Sequence, residues 1–241
     1  MSGHSKWSTI KHKKGKEDAR RGKVFTKLAR YIMVAVKDGG ADPDYNPSLK
    51  AAIDKAKAEN MPNDNIDRAI KKGAGEMGAD IFEEIIYEGY GPSGVAVIVN
   101  CLTDNRNRTA SDVRHAFDKF GGNLGQSGSV AFMFERKGLI AIERTDDMDE
   151  DELTMLAIEL GAEDLSADEE GFEIITNTSD FNTIRDGLQN SGYSFAAAEL
   201  TYVPLTYASL ESENDIKNIE KMIDMLEEND DVQDVYHNWE M

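Results

Sequence analysis

The chain of 241 residues carries 46 Asp and Glu against 27 Lys and Arg, a formal charge of −19, and its length suffices for two or three domains with cores of their own. Its single thiol, Cys101, excludes an intramolecular disulfide framework and fits a reducing compartment. Apolar stretches such as Val95 to Val99 are far too short to span a bilayer and no basic-then-apolar leader precedes the globular pattern, so a cytoplasmic protein without membrane contact is expected.

The charge is unevenly placed. Met1 to Lys37 holds eleven Lys and Arg against only Glu17 and Asp18, a local charge of +9, whereas residues 138–205 sum to −15 and 206–241 to −9. A basic end on an acidic chain creates a local field for phosphate that the remainder opposes. Contact with a polyanion is therefore expected through the first third.

Residues 1–15 show no apolar period beyond Trp7 and Ile10 and read as an extended basic arm. From Lys16 the spacing turns helical: Val24, Leu28, Ile32 and Val36 recur every four residues, with Phe25 alongside. On a helical wheel these share one sector, and Lys16, Arg20, Lys23, Lys27 and Arg30 share the opposite one. Those five cations, with Lys6, Lys11, Lys13 and Lys14 of the arm and a hydrogen bond from His12, are the expected phosphate contacts. Trp7 either stacks on a base or anchors the arm to the core.

Asn46 before Pro47 predicts the N-cap of a second helix bearing Leu49, Ile53 and Ala56, and Pro62 opens a third that carries Ile66 and Ile70 and ends at Gly73. The stretch Gly73 to Gly78 reads as a linker, with a boundary near residue 80. Beyond it, strands are predicted at 84–90, 95–102, 129–134, 139–143, 172–177, 195–204 and 232–237, and helices at 109–120, 149–160, 180–190 and 213–228. The resulting fold class is α+β in three domains: a basic helical domain (1–80) followed by two ferredoxin-like sandwiches. The acidic one (138–205) is inserted into a discontinuous one (81–137 with 206–241).

Asn105 to Asp112 lies between a buried strand and a helix, and Thr109 with Asp112 resembles a capping box. Arg106, Asn107 and Arg108, with Arg114 farther along, then stand beside free N–H groups and a partial positive charge, which suits a second anion site. The alternative is that the arginines pair with local carboxylates such as Asp104. The glycine-rich run Gly121 to Gly128 leads into a strand instead of following one and lacks the Lys and Ser or Thr of a phosphate-cradling loop, so it is either a plain connector or a point of close backbone approach. Phe132 and Phe134 read as core residues.

Enzymatic signatures are missing. Gly125 to Ser129 breaks the nucleophile-elbow pattern at its last position, and Asp42 to Pro47 starts like a calcium loop without the required Gly and Glu. His4, His12, His115 and His237 are scattered and Cys101 has no cysteine partner, so neither a metal site nor a cofactor is expected.

Taken together, these segments resemble the YebC family. The resemblance rests on Gly3-His4-Ser5-Lys6-Trp7, Arg21-Gly22-Lys23 before Phe25-Thr26-Lys27, Asp42-Pro43 with Asn46-Pro47, and Asn60-Met61-Pro62. It continues through Tyr87-Glu88-Gly89-Tyr90-Gly91-Pro92, Asp104-Asn105-Arg106-Asn107-Arg108-Thr109, Gly121-Gly122-Asn123-Leu124-Gly125, Asp230-Asp231-Val232-Gln233 and Val235-Tyr236-His237-Asn238. It implies a three-domain fold and a DNA-binding transcriptional role for some members. For others, a mitochondrial translational activator among them, it implies work on ribosomes at difficult sequences such as proline runs. Tyr31 departs from the pattern, since relatives often carry Glu there.

The function expected is a monomeric, non-enzymatic nucleic-acid-binding regulator of gene expression acting on DNA. One alternative is a ribosome-associated translation factor contacting ribosomal or transfer RNA. Another is a protein-interaction adaptor that uses the acidic half.

Overall fold

The computed structural model describes residues 21–76 and 82–240. The expected basic arm, the expected start of the first helix at Lys16 and the end of the expected glycine linker fall on residues outside these ranges. The chain is α+β, with N-terminal helices followed by two antiparallel sheets.

Helix α1 (Arg21–Gly39) packs against α2 (Pro47–Ala58) and α3 (Asn63–Gly73). Leu28, Ile32 and Val36, three of the four residues in the apolar stripe, are buried with Leu49, Ala56, Ile66 and Ala69, and Val24 lies at the margin of this core. Asn46 caps α2 by accepting from Leu49 N at 3.0 Å, while its amide donates to Ala35 O and Gly40 O, fastening the turn between α1 and α2. At Gly73 a Cβ would come within 2.9 Å of the α1 backbone at Met33, so this close helix crossing requires glycine.

The first sheet contains β1 (Glu83–Tyr90), β2 (Ala96–Thr103), β3 (Asn123–Leu124) and β8 (Val232–His237) in the order β3-β1-β2-β8. Helix α4 (Arg106–Lys119) follows β2, and α7 (Glu213–Glu227) precedes β8. The second sheet has β4 (Phe134–Glu143), β5 (Asp164–Ala167), β6 (Gly171–Thr176) and β7 (Ala197–Pro204) in the order β5-β6-β4-β7. Between these strands come α5 (Glu150–Leu160) and α6 (Phe181–Asn190).

The run β4-α5-β5-β6-α6-β7 with all neighbours antiparallel has the ferredoxin-like order. Its core joins Ile140, Ile142, Phe172 and Ile174 to Leu153, Ala157, Ile184 and Leu188. The first sheet repeats the same spatial order, with β1 standing before β2 in the chain and α7-β8 supplying the last helix and strand. Residues 21–76, 82–130 and 211–237 belong to one compact unit; residues 131–210 and 238–240 belong to the other.

Several local expectations need correction. Residues 129–134 are not a strand: a single 3-10 turn occupies Ala131–Met133, and β4 runs unbroken from Phe134. Phe132 is exposed, while Phe134 is buried. Helix α4 begins three residues early, because Asn105 and not Thr109 is its cap, accepting from Arg108 N at 3.1 Å. Strands β3 and β5 have two and four residues, too few for a period to show.

Candidate nucleic-acid interface

The glycine-rich connector is anchored and not open. Buried Glu88 on β1 accepts Gly128 N at 2.6 Å and Val130 N at 2.9 Å, and Tyr90 donates to Ser129 O. A carboxylate engaged by two backbone N–H groups fixes the loop, which supports the connector reading. The sequence drew attention to the glycines and missed the acid holding them.

The cationic face of α1 meets the protein itself. Lys23 Nζ donates to Glu228 O at 3.0 Å and Lys27 Nζ to Glu227 O at 2.9 Å, so both lysines satisfy carbonyls at the C-terminus of α7, where the helix dipole is negative. Arg30 donates to Leu102 O, Asp230 O and Asp231 Oδ1 and lies over the Phe82 ring. These three were expected to face phosphate, but each has an internal partner. Lys6, Lys11, His12, Lys13, Lys14, Lys16 and Arg20 lie outside the described residues.

Asp231 organises the junction. It ends the turn into β8, where a register shift opposite Asn100 and Cys101 brings its carbonyl to Leu102 N at 2.8 Å. Its carboxylate, only 4% exposed, receives Arg30, the Nε and Nη2 of Arg108, and the hydroxyls of Thr103 and Thr109. Burial alone would raise this carboxyl, but the bonds from Arg108, Thr109 and Arg30 outweigh it and hold it below the usual carboxylate range. The same contacts, led by Asp231 and then Asp104, raise Arg108. A second junction contact joins Tyr31, whose hydroxyl donates to Asp234 Oδ2 at 2.6 Å; burial first and Asp234 second push this phenol up.

The expected second anion site therefore divides. Arg108 is committed to Asp231 and Asp104, which is the ion-pair alternative. Arg106, Asn107 and Arg114 are exposed, with no ion pair among the described residues. At about 100° per residue, Asn107 and Arg114 share a face of α4, and Arg106 and Arg108 each lie roughly a quarter turn from it, on opposite sides.

A cleft of about 460 Å³ beside the junction is lined by Lys23, Arg30 and Arg108 together with Asp104, Glu228, Asp230 and other residues. Its charges offset one another, so it does not form a phosphate pocket. Cations free of ion pairs among the described residues occur instead on α2 and α3 at Lys50, Lys57, Arg68 and Lys71. The sequence does not single these out for binding, because residues 38–80 carry nine acids against six Lys and Arg.

No helix among the described residues is long and apolar enough to cross a membrane. Burial raises the Cys101 thiol to about 12, which keeps it protonated and unreactive near neutral pH.

Residues 5–76 match the family described as "TACO1/YebC protein N-terminal domain", and residues 82–239 match "TACO1/YebC second and third domain". A "Probable transcriptional regulatory protein" of Finegoldia magna is 62% identical over 240 residues, which cover 100% of this chain and 99% of the relative. A protein of Acetivibrio thermocellus with the same description is 58% identical over 239 residues, covering 99% of each. The crystal structure of the conserved hypothetical protein Aq1575 from Aquifex aeolicus superposes with a TM-score of 0.87 at 49% identity, covering 98% of this chain and 97% of that one. The fold is thus shared along nearly the whole length, and the chain belongs to the TACO1/YebC family.

Proposed function

We propose that this protein is a non-enzymatic regulator of gene expression that binds nucleic acid through phosphate contacts, with DNA the partner that its relatives' description as transcriptional regulatory proteins favours. The observation that carries this reading is the charge of +9 on residues 1–37 of a chain whose total is −19. Lys6, Lys11, Lys13, Lys14, Lys16 and Arg20 supply the principal contacts, and the exposed Arg106, Asn107 and Arg114 of α4 supply a second set. We also propose a division into residues 1–80, 81–137 with 206–241, and 138–205, supported by the closure of the first sheet by β8, with the middle boundary moved to the residues before Phe134 because β4 starts there.

RNA on the ribosome is the second reading. It is favoured by the engagement of Lys23, Lys27 and Arg30 within the protein, which leaves α1 without the continuous cationic face that a groove-filling helix uses. Phosphate contacts carry no base information, so DNA and RNA are separated by measurement at matched salt.

The test is a salt titration of binding to a DNA duplex and to a structured RNA of equal length. With about 6 to 10 phosphate contacts, affinity falls roughly 10³ to 10⁵-fold between about 50 and 200 mM salt. Binding that barely responds to salt would refute phosphate recognition.

A further inference from the structure

Residues 138–205 contain seventeen Asp and Glu and only two cations, Arg144 and Arg185. Both are engaged, Arg144 with Glu150 at 2.9 Å and over the Phe172 ring, and Arg185 with Asp186 at 2.7 Å. On this acidic body α5 has an unusual distribution of apolar residues. Leu153 and Ala157 are buried against the sheet, yet Met155 and Ile158 are 63% and 65% exposed.

At about 100° per residue the core face of α5 centres on Leu153, Leu156, Ala157 and Leu160, and Met155 and Ile158 lie on the side directly opposite. They are therefore not margin residues of the same core. Asp151 falls between them on the wheel, with Glu152 and Glu159 alongside, all exposed. Scattered surface apolar residues are ordinary, but two on one turn, aimed away from the core and bordered by carboxylates, make a contact surface of defined chemistry.

We propose that this outward face of α5 docks a lysine- or arginine-rich segment of another protein that carries apolar side chains three or four residues apart. Charge complementarity selects that occupant. A polyanion is repelled by a region of charge −15, and a second copy of this face would oppose acid to acid. Met155 and Ile158 bury against the partner's apolar pair, while Asp151, Glu152 and Glu159 receive its cations. This goes beyond nucleic-acid binding, since the protein would then hold a polyanion at one surface and a basic protein at another.

The test uses the full chain without nucleic acid, so its outcome is independent of the proposed regulator activity. A fluorescent Lys-rich peptide of roughly 14 residues, with Leu spaced three and four apart, is titrated by anisotropy at about 100 mM salt, where long-range surface attraction is screened. Met155→Ser with Ile158→Ser, at unchanged melting temperature, is expected to weaken binding roughly tenfold, as is replacing the peptide's Leu by Ser at constant charge. Equal binding of both peptides, or of both proteins, overturns the proposal in favour of bulk charge attraction. So does a dimer in sedimentation that the double variant dissolves. Peptide binding that appears only after Lys11→Glu, Lys13→Glu and Lys14→Glu would assign the face to the chain's own arm and equally overturn it.

Discussion

Arg30 Nη1 lies 2.8 Å from Asp231 Oδ1 across 201 residues of sequence, joining the first helix to the turn before the last strand. Arg108 approaches the same carboxylate from α4 with two nitrogens, and Thr103 and Thr109 complete its shell. One acid thus ties three elements of the unit that holds the first sheet.

Asp231→Ala leaves two guanidinium groups and two hydroxyls without their shared acceptor. Removing one member of a buried ion pair typically costs about 3 to 5 kcal/mol, and a loss of that size is expected here, read from the urea midpoint. A loss under about 1 kcal/mol would mean that water replaces the carboxylate without penalty.

The pH dependence of stability follows from the same residue. The folded carboxyl of Asp231 lies below its ordinary value of roughly 3.9, so the contribution is fully present above that value and is lost as pH falls through the lower, folded one. Urea midpoints measured from neutral pH down to about pH 2 should show an acid limb that Asp231→Asn flattens. An identical limb in the variant would assign acid lability to other carboxylates.

Lys23→Glu with Lys27→Glu would be nearly silent for folding if that face of α1 were merely solvated. Because both lysines donate to the last carbonyls of α7, the pair of reversals is expected to cost roughly 1 kcal/mol or more and to lower the melting temperature. An unchanged melting temperature together with weakened nucleic-acid binding would return these residues to phosphate contact.

The arginines of α4 divide into two classes. Arg106→Ala with Arg114→Ala should weaken nucleic-acid binding and reduce the salt slope by roughly 0.7 to 0.9 per lost phosphate contact, with stability unchanged. Arg108→Ala should instead lower the unfolding midpoint, because it opens the shell of Asp231. Salt titration and urea unfolding of both variants check the division, and the opposite pattern would reverse the two roles.

Much of the architecture was legible because it is local. The four-residue spacing from Val24 to Val36 predicts the buried stripe of α1, and Asn46-Pro47 predicts its neighbour's cap. The strand at 232–237 predicts the piece that closes the first sheet. Helix starts near residue 105 and the short strands β3 and β5 were less legible, since a cap depends on which side chain turns back and a strand of two to four residues shows no period.

Charge polarity, the helical and alternating patterns and the family's motifs can be read from the order of residues. Which cations are available depends on the folded chain. Lys23, Lys27, Arg30 and Arg108 look like Arg106 and Arg114 in a charge count, but the fold brings α7, β8 and Asp231 to the first four and leaves the other two without an ion pair among the described residues. The physical reason is range: helical periodicity reports which face a residue occupies from neighbours three or four positions away, whereas an ion pair spanning some two hundred residues exists only after the chain has folded.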